Sequence, residues 1–163
     1  MSLPQVDMLP ASMTGLRLAT ERYQAAAQDP GSAAVDVFVP LSEALAWACS
    51  LDEAMSKIYG EPYVQARATD PMGPYLVGLR FARNRCTHQL ALIAERRHLA
   101  PPLRPPLTPG LLFRWRPVAE LPAADAKHDN GRVEYEDCLV GNTAQTTLGQ
   151  VTGWLQRAFE QFV

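Results

Sequence analysis

Apolar positions recur at helical spacing along most of the chain. After Ser12, a good helix N-cap, Met13, Leu16, Ala19, Tyr23 and Ala26 stand three or four apart until Asp29-Pro30-Gly31 breaks the run. This predicts a first helix over residues 12–28. Leu41, Leu45, Ala48, Met55 and Ile58 are the stripe of a second, over 32–59, with Trp47 and Leu51 on a neighbouring face. Pro40 is expected to kink or divide it, because proline removes a backbone donor and clashes with the preceding turn. Residues 60–70 read as a loop in which Tyr63 and Arg67 either meet a ligand or pack across the bundle. Asp70-Pro71 opens a third helix over 71–98, and Pro101-Pro102 closes it. The most regular stripe, Ala144, Leu148, Val151, Leu155, Ala158, Phe159 and Phe162, marks a last helix over 143–162, capped by Asn142 or Thr143, with Trp154 beside the stripe.

Residues 99–141 break the helical pattern. Seven prolines between Pro101 and Pro122 exclude an ordinary helix and predict an extended excursion over the surface. Within it, Leu111-Leu112-Phe113-Arg114-Trp115-Arg116 alternates as a half-buried strand does. Asn130-Gly131 is a turn signal, with Val133–Tyr135 as the expected strand partner, while Glu134–Leu139 has room for one or two helical turns before Gly141. The fold class is therefore all-α: a four-helix-type bundle with a proline-rich excursion carrying a short β-hairpin. With 163 residues, 47% of them hydrophobic, the chain builds one domain over 1–163. No basic-then-apolar leader and no apolar run near the ~20 residues of a membrane span are read, so a cytoplasmic protein is expected.

Charge refines this picture. Residues 67–119 hold nine arginines against Asp70 and Glu95, a net +7 that leaves −9 for the rest of a chain whose total is −2. Such polarity suits a phosphate-bearing partner or an oppositely charged protein, a second copy included; a scatter of solvated arginines is the plainer account. Cys49, Cys86 and Cys138 are odd in number and far apart, and read as thiols in neither a disulfide nor a zinc site. His88, His98 and His128 are scattered too, so no metal and no cofactor are expected.

The third helix carries the candidate chemistry. At ~100° per residue, Met72, Tyr75, Leu79, Ala82, Leu90 and Ile93 lie within roughly 40° of Cys86 and, with Leu76 about 80° away, form its core stripe. Nearly opposite lie Val77, Phe81, Asn84, His88, Ala91 and Leu92, an apolar face with an amide and an imidazole in it. Two faces turned from solvent imply either a helix walled in by its own chain or one whose second face meets another subunit. The second case sets Asn84 and His88 at a dimer seam. Arg83 projects about 100° from Asn84, where it either reaches round to a phosphate beside the histidine or serves as a structural salt-bridge partner.

Arg83, Asn84 and His88, an arginine and histidine separated by four residues with an asparagine directly after the arginine, resemble the motif of the HEPN superfamily. The resemblance implies a small all-helical domain acting as a homodimeric, metal-independent ribonuclease with Arg83, Asn84 and His88 as its catalytic residues. It further implies a toxin-like or defence role, with an antitoxin or regulatory protein as partner. Leu90 stands where many members paired with a nucleotidyltransferase antitoxin carry a tyrosine, so control through such a tyrosine is not expected. The chemistry is consistent with the residue types. Metal-free RNA cleavage needs a base for the 2′-hydroxyl, an acid for the departing 5′-oxygen, and positive charge on the transition state. One histidine does not fill both proton-transfer roles, whereas a symmetric dimer with two copies of His88 and Arg83 does, Asn84 orienting the imidazole or the phosphate.

Arg80, Arg85, Arg114, Arg116 and Trp115 are the expected RNA contacts. Arg114 and Arg116 beside Phe113 and Trp115 form either a stacking platform for single-stranded RNA or a structural cover with the arginines in water. The reading from another class is a non-catalytic helical dimer that binds nucleotide, RNA or protein. A serine or cysteine hydrolase finds no support, since neither a Gly-x-Ser-x-Gly elbow nor an activated cysteine is present.

Overall fold

A computed structural model describes residues 6–97, 112–123 and 129–163. Leu111, His98, His128 and the prolines from Pro101 to Pro109 lie outside the described residues. The described chain is all-α with one small antiparallel hairpin. Its elements are α1 (Leu9–Gln28), α2 (Ala34–Tyr59), α3 (Glu61–Thr69), α4 (Gly73–Gln89), β1 (Ala94–Arg97), β2 (Leu112–Trp115), α5 (Arg132–Glu134, continuing as a π-helical turn, Tyr135–Leu139) and α6 (Ala144–Phe162). Helices α1, α2, α4 and α6 make the bundle, and α2 touches the other three.

The predicted stripes are the core. Leu16, Ala19 and Tyr23 of α1, Leu41, Leu45, Ala48 and Met55 of α2, and Leu148, Val151 and Leu155 of α6 are buried together. Thr143 caps α6, its Oγ1 accepting from the Thr146 amide at 3.1 Å. Gly15 permits the α1–α2 contact, because a Cβ there would stand 2.7 Å from the Trp47 ring. Helix α2 runs through Pro40 without dividing. By length and composition it is apolar enough to cross a membrane, contrary to the expectation that no segment reaches that length. In the fold its apolar stripe serves the bundle core, with Asp52 buried on it.

Helix α1 starts at Leu9, ahead of the expected Ser12, which lies inside it and donates its hydroxyl to the Met8 carbonyl at 3.0 Å instead of capping the helix. Three further boundaries differ from expectation, each for a physical reason. The expected loop at 60–70 contains α3: Gly60, at φ 58°, turns the chain, and Pro62 occupies the first helical turn, where a missing N–H costs nothing. The third predicted helix stops at Gln89 and not at residue 98. Leu90 turns left-handed at φ 49°, and the amides of Leu90 and Ala91 close back on the carbonyls of Cys86 and Arg85. Residues 94–97, helix formers by composition, become β1 and pair with β2 in the register Ala94↔Trp115 to Arg97↔Leu112. The strand expected at 112–115 is there, but its partner is β1. Val133–Tyr135 is helical instead, within the turns foreseen before Gly141.

Helix α5 and its π-helical turn cover the second face of α4. Phe81 packs on Tyr135 with ring centroids 4.9 Å apart. A Cβ on Gly78 would lie 2.8 Å from Leu139 Cδ1, and one on Gly131 would lie 2.5 Å from the Val77 carbonyl oxygen. Only glycines allow this approach. The Tyr135 hydroxyl donates to the carbonyls of Ile93, at 3.3 Å, and Arg116, at 2.8 Å, which fastens the hairpin to the same helix. Of the two readings of that face, the chain walling in its own helix accounts for Val77 and Phe81.

Candidate functional site

A buried carboxylate joins α2, α3 and α4. Asp52 falls in the apolar stripe of α2, between Ala48 and Met55, and is 1% exposed. An isolated charge there would cost several kcal/mol in lost hydration, and the fold answers with three donors. The Tyr63 hydroxyl reaches Oδ1 at 2.9 Å, Arg67 Nη1 reaches Oδ1 at 2.9 Å and Oδ2 at 2.8 Å, and Arg80 Nη2 reaches Oδ2 at 2.9 Å. Tyr63 and Arg67 stand one helical turn apart on α3, which is how the short helix presents both to one acceptor. Burial, helped by the Asp52 charge, raises the Tyr63 phenol far above its ordinary range and keeps it a donor. Burial likewise pushes the Cys49 thiol up to about 12, against the pull of Arg83 and Arg80. That thiol is protonated near neutrality and is no nucleophile.

The clamp leads to the motif. Glu53, next to Asp52 but at the surface, has its Oε1 3.6 Å from Arg80 Nε and 3.4 Å from Arg83 Nη1. Arg83 turns its other edge to Asn84, whose Oδ1 accepts from Nε at 3.2 Å and from Nη2 at 3.0 Å. Asn84 thereby holds one edge of the guanidinium while Glu53 of α2 meets the other. His88 lies one turn beyond Asn84, exposed in the last turn of α4. Arg83 and Asn84 are thus in direct contact, with His88 on the adjoining surface. Three of the five N–H groups of Arg83 are engaged by Asn84 and Glu53.

The expected RNA contacts fare unevenly. Trp115 is 1% exposed and donates Nε1–H to Thr147 Oγ1 at 3.0 Å, so it is a core residue and offers no stacking platform. Arg85, also 1% exposed, lies over the Phe81 ring at 5.5 Å and donates to the Pro122 carbonyl. Burial corrects both expectations. Arg116 binds the carbonyls of Leu92 and Glu120 and the carboxylate of Glu95, and Arg80 is held by Asp52 and Glu53. Arg114 is half-buried, with Nη1 3.4 Å from the Gly141 carbonyl oxygen. Much of the positive charge of the middle region is therefore committed to holding loops and helices together. Arg96 adds to this, reaching the carbonyls of Asp29, Pro30 and Ser32 across the α1–α2 turn.

Asp52, Glu53 and Tyr63 complete the cluster and were not among the residues the motif singles out. A signal for Asp52 was present: it continues the spacing Leu41, Leu45, Ala48 into the core, where a carboxylate requires cationic partners. The cysteines behave as expected of thiols, all three being free, with Cys49 and Cys86 buried. No protein-family model, no curated protein and no solved structure gives a match to this chain.

Proposed function

We propose that Arg83, Asn84 and His88 form half of a metal-independent RNA-cleaving site that a second copy of the chain completes. The observation that carries the reading is the double acceptance of the Arg83 guanidinium by Asn84 Oδ1, at 3.0 and 3.2 Å, one helical turn before an exposed His88. This sets a phosphate-binding cation, a fixed amide and a proton-transfer group along one surface. In the reaction, one His88 takes the proton of the ribose 2′-hydroxyl as its oxygen attacks phosphorus. The His88 of the second copy gives a proton to the departing 5′-oxygen, leaving a 2′,3′-cyclic phosphate and a free 5′-hydroxyl. Arg83 lowers the energy of the transition state by matching its charge on the non-bridging oxygens. The HEPN resemblance supports the same assignment, with a toxin-like or defence role and control by a partner protein.

A second reading, a non-catalytic RNA- or protein-binding module, is favoured by the Arg83–Glu53 pair and by the intrachain cover over Val77 and Phe81, which accounts for that face without a dimer. The deciding experiment is incubation of a mixed single-stranded RNA and tRNA pool with excess EDTA, comparing wild type with His88→Ala and Arg83→Ala at matched fold and oligomeric state. Cutting with cyclic phosphate ends, reduced about 10²–10⁴-fold in His88→Ala, is the expected result. Equal cutting by wild type and variants, or none by wild type, rejects the nuclease reading.

A further inference from the structure

The two neighbouring carboxylates of α2 are held on opposite terms. Asp52 is enclosed, with four contacts of 2.8–2.9 Å from Tyr63, Arg67 and Arg80. Glu53 is 38% exposed, and its contacts to Arg83 and Arg80, at 3.4 and 3.6 Å, are longer than the ~2.7–2.9 Å of a well-made charged hydrogen bond. The Nε of Arg80 is buried and makes no hydrogen bond. Three guanidiniums, Arg67, Arg80 and Arg83, face two carboxylates here, so the cluster keeps a net positive charge.

Glu53 also has somewhere else to go. It lines an open cavity of about 340 Å³ between the start of α1 and α2, together with Ser12, Ser50 and Lys57. Lys57 follows Glu53 by four residues on the same helix, the favourable order for a helical ion pair. A carboxylate oxygen set between two guanidiniums carries the charge and acceptor geometry of a phosphate oxygen. Its present occupant is loosely bound, and an alternative partner lies one turn away.

We propose that Glu53 is the resident counter-ion of a phosphate subsite made by Arg80 and Arg83. An RNA phosphate displaces its carboxylate, which turns into the cavity toward Lys57. This deepens the nuclease reading, on which it rests for the identity of the ligand, and gives RNA entry a built-in competitor. Asp52 continues to hold Arg80 throughout, so the subsite keeps its shape while Glu53 leaves. A single-stranded ligand then pays no cost of reorganising α4, only that of displacing one exposed side chain.

The test is fluorescence anisotropy of a short, uncleavable 2′-O-methyl RNA at fixed salt, with circular dichroism verifying each variant's fold. Glu53→Gln is expected to bind about 3- to 5-fold more tightly than wild type, the scale of an exposed ion pair. The gain should vanish in an Arg83→Ala background, and Lys57→Met should weaken binding only where Glu53 is present. A gain that persists without Arg83 is a general charge effect and overturns the subsite, as does the absence of any gain. Equal weakening by Lys57→Met in both backgrounds overturns the swing toward Lys57. Cleavage separates the two claims. Tighter binding by Glu53→Gln with no cutting by wild type removes the nuclease and keeps the subsite. Cutting that depends on His88 and Arg83, with no gain from Glu53→Gln, does the reverse.

Discussion

Between Leu76 and Ala82, α4 is packed on most of its surface: Leu76, Leu79 and Ala82 lie in the bundle core, Gly78 and Phe81 meet the π-helical turn, and Arg80 is pinned to Asp52. Beyond Asn84, the described residues cover the same helix on the side where Arg85 and Gln89 reach the carbonyls of Pro122 and Ala123, while Thr87, His88 and Leu90 are exposed. The enclosed half is fixed by its packing, and the open end has little packing to lose. The interest of the motif is that it straddles the two: Arg83 adjoins the enclosed half and is held by Asn84, and His88 takes its access from the open end.

The contrast can be broken most forcefully at Asp52. Asp52→Ala leaves Arg67, Arg80 and Tyr63 without their shared acceptor, and removing one partner from a buried ionic cluster costs about 3–5 kcal/mol. Urea denaturation should show that loss, whereas His88→Ala should leave the midpoint within about 0.5 kcal/mol of wild type. A small effect at Asp52 would mean that the clamp does not support α4.

A smaller effect of the same kind is expected at Gly78. An alanine Cβ there meets Leu139 Cδ1 at 2.8 Å and the backbone of Glu134 and Tyr135 at 3.1 Å, and backbone does not give way as a flexible side-chain end does. Overpacking of this sort costs about 1–3 kcal/mol. Gly149→Ala, on α6 with nothing within 4 Å of the added Cβ, is the control and should be neutral or slightly stabilising.

High pH reaches the enclosed region without mutation. Burial pushes the thiols of Cys49 and Cys86 up from 9.0 to about 12. A group whose folded pKa is raised contributes its stability in full below the unfolded value, and that contribution is lost as pH rises through the folded one. Unfolding free energy should therefore decline between pH 9 and 12, by about 1 kcal/mol per thiol at pH 10. Denaturant melts of wild type and Cys49→Ala at pH 7 and pH 10 check this: the variant should lose less over the interval.

How much of this was legible in advance follows from which forces set each feature. The stripes of α1, α2 and α6 were readable because burial of one face at helical spacing is what forms those helices. The strand at Leu112–Trp115 was readable from its alternation. Its partner was not, because Ala94, Glu95, Arg96 and Arg97 favour a helix locally and are drawn into β1 by pairing with a segment distant in the chain. The end of α4 was hidden for a related reason: Leu90, Leu92 and Ile93 continue the apolar phase, and the chain stops the helix with a leucine where glycine or asparagine is the usual signal. At the site, spacing placed Asn84 and His88 together, but the routing of Arg83 onto Asn84 and Glu53 depends on α2, and no local pattern reports it.

Leu90 gives the mildest and most local test of where the enclosed half stops. It is the one non-glycine among the described residues with positive φ, at 49°, and it is 78% exposed. A β-carbon in the left-handed region costs about 1–2 kcal/mol, and an exposed side chain recovers little of that by burial. Leu90→Gly relieves the clash but gives the unfolded chain more freedom, so the net gain should be near 1 kcal/mol or a little less. Leu90→Asn should fall between glycine and leucine, since asparagine tolerates this conformation. Thermal melts of the three proteins should therefore rank glycine, asparagine, leucine. The reverse ranking would mean that the exposed leucine is buried in the working protein, against a second copy or another partner seated on the open end of α4 beside His88.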